Sequence, residues 1–74
     1  MSNPTISPTQ PKYPDVHVQL TGEDGNAWVI MGRVLRAMRE AGIDKLNQNA
    51  YQAWAMDGNY EHLLWVTMCT VSTS

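Results

Sequence analysis

Few residues in this chain can do chemistry, and their spacing limits what they can do. His62 and Cys69 fall on one side of a helical stretch that runs from Tyr60 to Cys69 or Thr70. A thiol and an imidazole suggest a nucleophile and its base. Seven residues of helix, however, place about 10.5 Å of axial rise between them. Proton transfer needs hydrogen-bond reach, and a shared metal needs closer ligands. Cys69 therefore reads as a small apolar filler and His62 as a first-turn surface or capping residue. His17 could join His62 only through tertiary contact. With one Cys in 74 residues, neither an intramolecular disulfide nor a Cys-based zinc site is available. No nucleophile–base–orienter set stands out, so the expectation is a non-enzyme without cofactor or metal.

Two features could bind an anion. Residues 22–26 (GEDGN) form a glycine turn between a strand and a helix. Free N–H groups around Gly25 and Asn26, with the positive end of the helix dipole, suit a phosphate. Glu23 and Asp24 oppose this. They satisfy the dipole themselves and would repel a phosphate within ~5 Å by about a kcal/mol each. The turn lacks the Walker lysine, the full dinucleotide fingerprint and the spacing of a calcium loop. The simpler reading is a structural turn with Asn26 as helix cap. Arg33, Arg36 and Arg39 step along the polar face of the first helix. Three guanidiniums could hold a nucleotide-type ligand or an acidic partner. The simpler reading is a solvated face, with Arg36 and Glu40 paired at i,i+4. A pI near 5.4 and a net charge of −2 argue against general nucleic-acid binding. Seven scattered carboxylates make no DNA-mimicking array.

The elements that must position these groups follow from periodicity. Residues 1–14 carry all four prolines and read as a disordered, extended arm with Ile6 and Tyr13 as possible anchors. Residues 15–21 (DVHVQLT) alternate, with Val16, Val18 and Leu20 on one face, and predict a half-buried strand. Its partner is either the β-friendly tail at 70–73 (TVST) or the same strand of another subunit. Residues 27–41 read as a helix stopped by Gly42, with Trp28, Ile30, Met31, Val34, Leu35 and Met38 on a wide apolar face. That width requires at least two neighbours. A second helix runs from Asp44 or Asn47 to Asp57, burying Leu46, Ala50, Ala53 and Trp54 with Tyr51 at the edge. Gly58 is expected at its C′ position, and Asn59 to cap the third helix. The whole is an α+β unit of one strand, three helices and a possible short C-terminal strand, forming a single domain over 15–74.

The third helix is apolar on nearly all sides. Glu61, His62, Thr67 and Thr70 are too scattered to give water a polar face. Either the helix is sandwiched within the fold or another chain covers one flank, and exposed contiguous apolar surface marks interfaces. A domain of about sixty residues is marginal alone. The expectation is therefore a homo-oligomer or bound partner, contacting Trp65, Val66, Cys69 and His62. Five Met fit an adaptable surface. The longest apolar runs are far below the ~18 residues of a membrane span, and no basic segment leads into an apolar one near residue 1. A cytoplasmic protein is expected.

The run VHVQLTGEDGNAWVIMGRVLRAMREAG, followed by DGNYEHLLWVTM, resembles a family of small proteins from bacteriophages and bacterial genomes. Its members pair a strand, a G-x-D-G-N-A turn and a helix with a C-terminal LL-x-x-x-M segment. The resemblance spans Val16 to Met68 and carries no catalytic residues across. It implies a phage accessory protein that binds and disables a host component, host immunity included. Trp28 and Trp54 depart from the smaller residues expected there, which implies a differently filled core or groove. The alternative is an oligomer that sequesters a nucleotide-type signal through the helix-one arginines and aromatic rings.

Overall fold

The computed structural model describes residues 6–20 and 26–74. The order is β1 (Tyr13–Val18), α1 (Ala27–Glu40), α2 (Lys45–Ala55), α3 (Tyr60–Thr70) and β2 (Val71–Thr73). This is the expected α+β arrangement. The two strands pair in parallel, with Tyr13 opposite Val71, His17 opposite Ser72 and Val18 opposite Thr73. Of the two partners foreseen for the strand, the chain's own tail takes the place. Parallel strands need a long crossover, and the three helices supply it.

The strand starts at Tyr13 rather than Asp15, so it includes Pro14. A proline removes a ladder donor and is tolerated at edges and bulges. Here the register slips between Tyr13 and His17, the stretch that holds Pro14. The Pro14 carbonyl accepts from Ser72 Oγ at 2.6 Å. The pairing continues past the strand ends, where Leu20 N donates to Ser74 O at 2.7 Å and Lys12 N to Cys69 O at 2.9 Å. Nor do residues 6–12 run as a free extended arm. Ser7 and Gln10 exchange backbone hydrogen bonds of 3.2 and 2.9 Å around Pro8, which suits the second position of a tight turn.

Each helix starts where local chemistry dictates. Asn26 Oδ1 accepts from the Trp28 and Val29 N–H groups, Asp44 from Asn47 N, and Asn59 from His62 N. The α1 helix ends in a Schellman motif. Gly42, at φ +83°, donates to Arg39 O, and Ile43 donates to Met38 O. Gly58 differs from expectation. Among the described residues Gly42 is the one glycine at positive φ, and the C-cap of α2 is Met56.

The core joins Val16 and Val18 of β1, Ile30, Met31, Val34 and Met38 of α1, Tyr51 and Ala55 of α2, Leu63 and Val66 of α3, and Val71 of β2. The wide face of α1 meets β1, α2 and α3. The α3 helix packs against α1, α2 and β2, burying Leu63, Val66, Thr67, Cys69 and Thr70. A helix enclosed from three directions has no use for a polar face, and its two inward threonines are satisfied. Thr67 Oγ1 pairs with Tyr51 Oη at 2.8 Å, and Thr70 Oγ1 donates to Val66 O at 2.7 Å. Most of the greasiness of this helix is therefore answered within the chain. Among the described residues no helix is long and apolar enough to cross a membrane.

Candidate functional site

The face that α2 turns outward differs from the one its periodicity suggested. Leu46 is 76% exposed, Ala50 and Ala53 are exposed, and Trp54 is 37% exposed. Tyr51, expected at the edge, is buried with Ala55. Both sides of this helix are apolar. Tyr51 takes the inside with its hydroxyl bonded to Thr67, whereas Trp54 on the other stripe would bring an indole N–H that needs a buried partner of its own. Leu46, Ala50, Ala53 and Trp54 are thus left as an unpartnered strip on one helix face.

Trp54 ends that strip against Trp65 of α3, which is 43% exposed. The two indoles meet edge to face, with centroids 5.5 Å apart and planes at 85°. Aromatic quadrupoles favour this geometry over face-to-face stacking. His62 fixes the corner from below. Its Nε2 lies 2.7 Å from Trp54 O, and since a carbonyl only accepts, Nε2 carries the proton and donates. The imidazole also lies 6.4 Å from the Trp65 ring, tilted 30°.

Gly58 explains why His62 can sit there. His62 is the third residue of α3, and helical side chains lean back toward the N-terminus. Its ring therefore falls over the residue before the cap. A Cβ on Gly58 would lie 2.7 Å from His62 Cγ. The glycine is needed for this close approach and not for a left-handed backbone. The whole arrangement is an aromatic corner, two tryptophans wedged open to solvent and held by a histidine that clips the end of α2.

The sequence-derived candidates divide on this geometry. Trp65 lies at the corner and His62 supports it. Val66 and Cys69, expected to face a partner, are fully buried in the chain's own core, because α3 is enclosed by α1, α2 and β2. Burial pushes the Cys69 thiol above its ordinary range, consistent with a filler rather than a nucleophile. Asn26 serves as the α1 cap, while Gly25 and the rest of the turn at 22–25 lie outside the described residues. The arginines fan apart, since steps of three residues rotate each by about 60° and advance it about 4.5 Å. Arg33 Nη1 donates to Gln19 O at 3.4 Å, and Arg36 Nε to Glu40 at 3.2 Å. The second is the i,i+4 pair expected of a solvated face, and the first ties α1 to the segment that follows β1.

Sequence reasoning missed Leu46 and Trp54 as surface residues by assigning them to the core. The signal that could have found them is the second apolar pair on α2, Tyr51 and Ala55, on the other side of the helix. Trp28, assigned to the buried face of α1, is 66% exposed. It overhangs a cleft of about 230 Å³ lined also by Met31, Met56, Tyr60 and Leu63. Trp28 and Trp54 thus line surface clefts rather than fill the core. Compared with protein-family models, curated proteins and solved structures, the chain matches none.

Proposed function

We propose that the chain is a small binding module that occludes a partner protein's surface through the aromatic corner and the outer strip of α2. The observation that carries this reading is the Trp54–Trp65 pair, pre-set by His62 and left open to solvent. Interface energetics concentrate in Trp, Tyr and Arg anchors, and rigid anchors lose little freedom on binding. Leu46, Ala50 and Ala53 extend the anchor into a contiguous apolar strip of the kind that marks interaction sites. The resemblance to phage and bacterial proteins supplies the partner's class. It is a host component in the bacterial cytoplasm, with antiviral defence among the activities that occlusion would disable.

The test compares capture from host lysate by the immobilised wild-type chain, a Trp54→Ala/Trp65→Ala variant, and an Arg33→Gln/Arg36→Gln/Arg39→Gln variant. Far-UV circular dichroism verifies that each is folded. The expected result is a host protein retained by the wild type and the arginine variant but lost with the tryptophans. Retention by the tryptophan variant overturns the reading. So does a wild-type dimer in light scattering that the tryptophan substitutions dissociate, because a second copy then covers the corner.

A further inference from the structure

Trp54 also walls a cavity of about 170 Å³. Its rim includes Ile6, Lys12 and Tyr13 from the N-terminal segment and Asn47, Ala50 and Trp54 from α2. Its floor is the buried Tyr51, Cys69 and Thr70. We propose that this cavity receives one aromatic side chain of a partner polypeptide whose neighbouring carboxylate pairs with Lys12. The proposal rests on the reading of the chain as a binding module and specifies the partner's chemistry.

Size sets the first half. An apolar cavity of about 150 Å³ holds a benzene molecule. The present one thus suits a single phenyl-sized ring and is too small for the drug-sized ligands that fill ~300 Å³ or more. The walls agree, because Ile6 and Trp54 are large apolar residues left partly exposed at the mouth.

Charge sets the second half. Lys12 Nζ donates to Asn47 Oδ1 at 3.0 Å and lies 5.4 Å from the centroid of the Tyr13 ring. These contacts hold the ammonium at the rim and leave donor capacity, since a lysine carries three N–H donors. The nearby Asp44 carboxylate is already engaged. It accepts from Asn47 N at 3.1 Å and from Asn47 Nδ2 at 2.7 Å while capping α2. An incoming carboxylate thus meets an oriented cation beside an apolar hole and competes for it with the charged Asp44, while a cationic flank meets repulsion from Lys12.

The experiment titrates the whole chain with three capped tripeptides, Glu-Phe-Glu, Lys-Phe-Lys and Glu-Ala-Glu, followed by amide and indole N–H chemical shifts. The expected result is saturable shifts at Ile6, Ala50 and Trp54 with Glu-Phe-Glu. Lys-Phe-Lys should bind at least about threefold more weakly, the scale of an exposed ion pair, and Glu-Ala-Glu should not saturate. Ala50→Trp, at an exposed position, fills the cavity and should abolish binding. Lys12→Gln should weaken Glu-Phe-Glu and leave Lys-Phe-Lys no worse. Equal binding of the two charged Phe peptides, or shifts that survive Ala50→Trp, overturns the proposal. Because the probe needs no host partner, the two readings can fail separately. Capture that depends on Trp65, with no peptide binding, removes only the cavity assignment.

Discussion

Replacing Gly58 by alanine should destabilise the chain, and most strongly while His62 keeps its ring. The new Cβ would stand 2.7 to 2.8 Å from three atoms of the His62 side chain, so that side chain must shift. Its displacement strains a rotamer or the backbone, at about 1–3 kcal/mol for overpacking, and pulls on the 2.7 Å hydrogen bond to Trp54 O. Against this, Gly→Ala at a φ that alanine can adopt stabilises by ~0.4–1 kcal/mol through the unfolded chain. The net cost of Gly58→Ala is then about 1.5 kcal/mol, or roughly 10 °C in Tm for a domain of this size. In a His62→Ala background the contacts with Cγ and Cδ2 are gone while the one with Cβ, at 2.8 Å, stays, so the same change should still cost stability but by less than in the wild type. Urea unfolding read by tryptophan fluorescence measures all four corners of the cycle. Near-ultraviolet circular dichroism follows the Trp54–Trp65 geometry in parallel. An equal cost in both backgrounds would refute the claim that His62 packing is what requires glycine here.

Further outcomes follow from the core. Thr67→Val leaves the buried Tyr51 hydroxyl without its 2.8 Å partner and should cost about 1–3 kcal/mol. Tyr51→Phe should cost only ~1 kcal/mol, since the freed Thr67 hydroxyl can turn to the carbonyl four residues back, as Thr70 does. A denaturation series in which Tyr51→Phe is the costlier change contradicts that assignment. Burial raises both the Tyr51 phenol from its ordinary 10.0 and the Cys69 thiol from its ordinary 9.0. For groups raised in the folded state, the stabilisation is complete below the ordinary value and is lost as pH climbs toward the folded one. Unfolding midpoints should therefore fall above about pH 9, with a slope of up to about 1.4 kcal/mol per unit for each group. The fall should shrink in Tyr51→Phe and Cys69→Ala, and an unchanged profile in both variants would show that neither group drives it.

Helix boundaries were readable because they rest on contacts within a few residues. Asn26 and Asn59 cap helices, and Gly42 terminates one, by bonds that need no tertiary partner. The faces were less readable wherever both sides of a helix are apolar. On α2, Leu46 and Trp54 competed with Tyr51 and Ala55, and the tertiary bond from Tyr51 to Thr67 decided the matter. On α3 the lack of a polar face leaves two readings open in the sequence, a helix enclosed by the fold or one covered by another chain. Enclosure by α1, α2 and β2 explains Val66 and Cys69, leaving Trp65 as the outward remnant. The start of β1 was misplaced because proline argues against a strand, while a register slip lets Pro14 stay in one. The corner itself was half visible. Periodicity points to Trp65, but its pairing with Trp54 depends on the angle between two helices, which no periodicity encodes.

The parallel pairing of β1 with β2 has a kinetic corollary. The bond from Ser72 to Pro14 closes a separation of 58 residues, whereas the bond from His62 to Trp54 closes one of 8. Loop-closure entropy alone makes the first about 2 kcal/mol costlier. The two tryptophans can thus find each other by short-range search, while the strands must wait for a long-range encounter, the slower kind of event. Nascent or partly melted molecules would then carry the Trp54–Trp65 corner before the sheet forms or after it has opened.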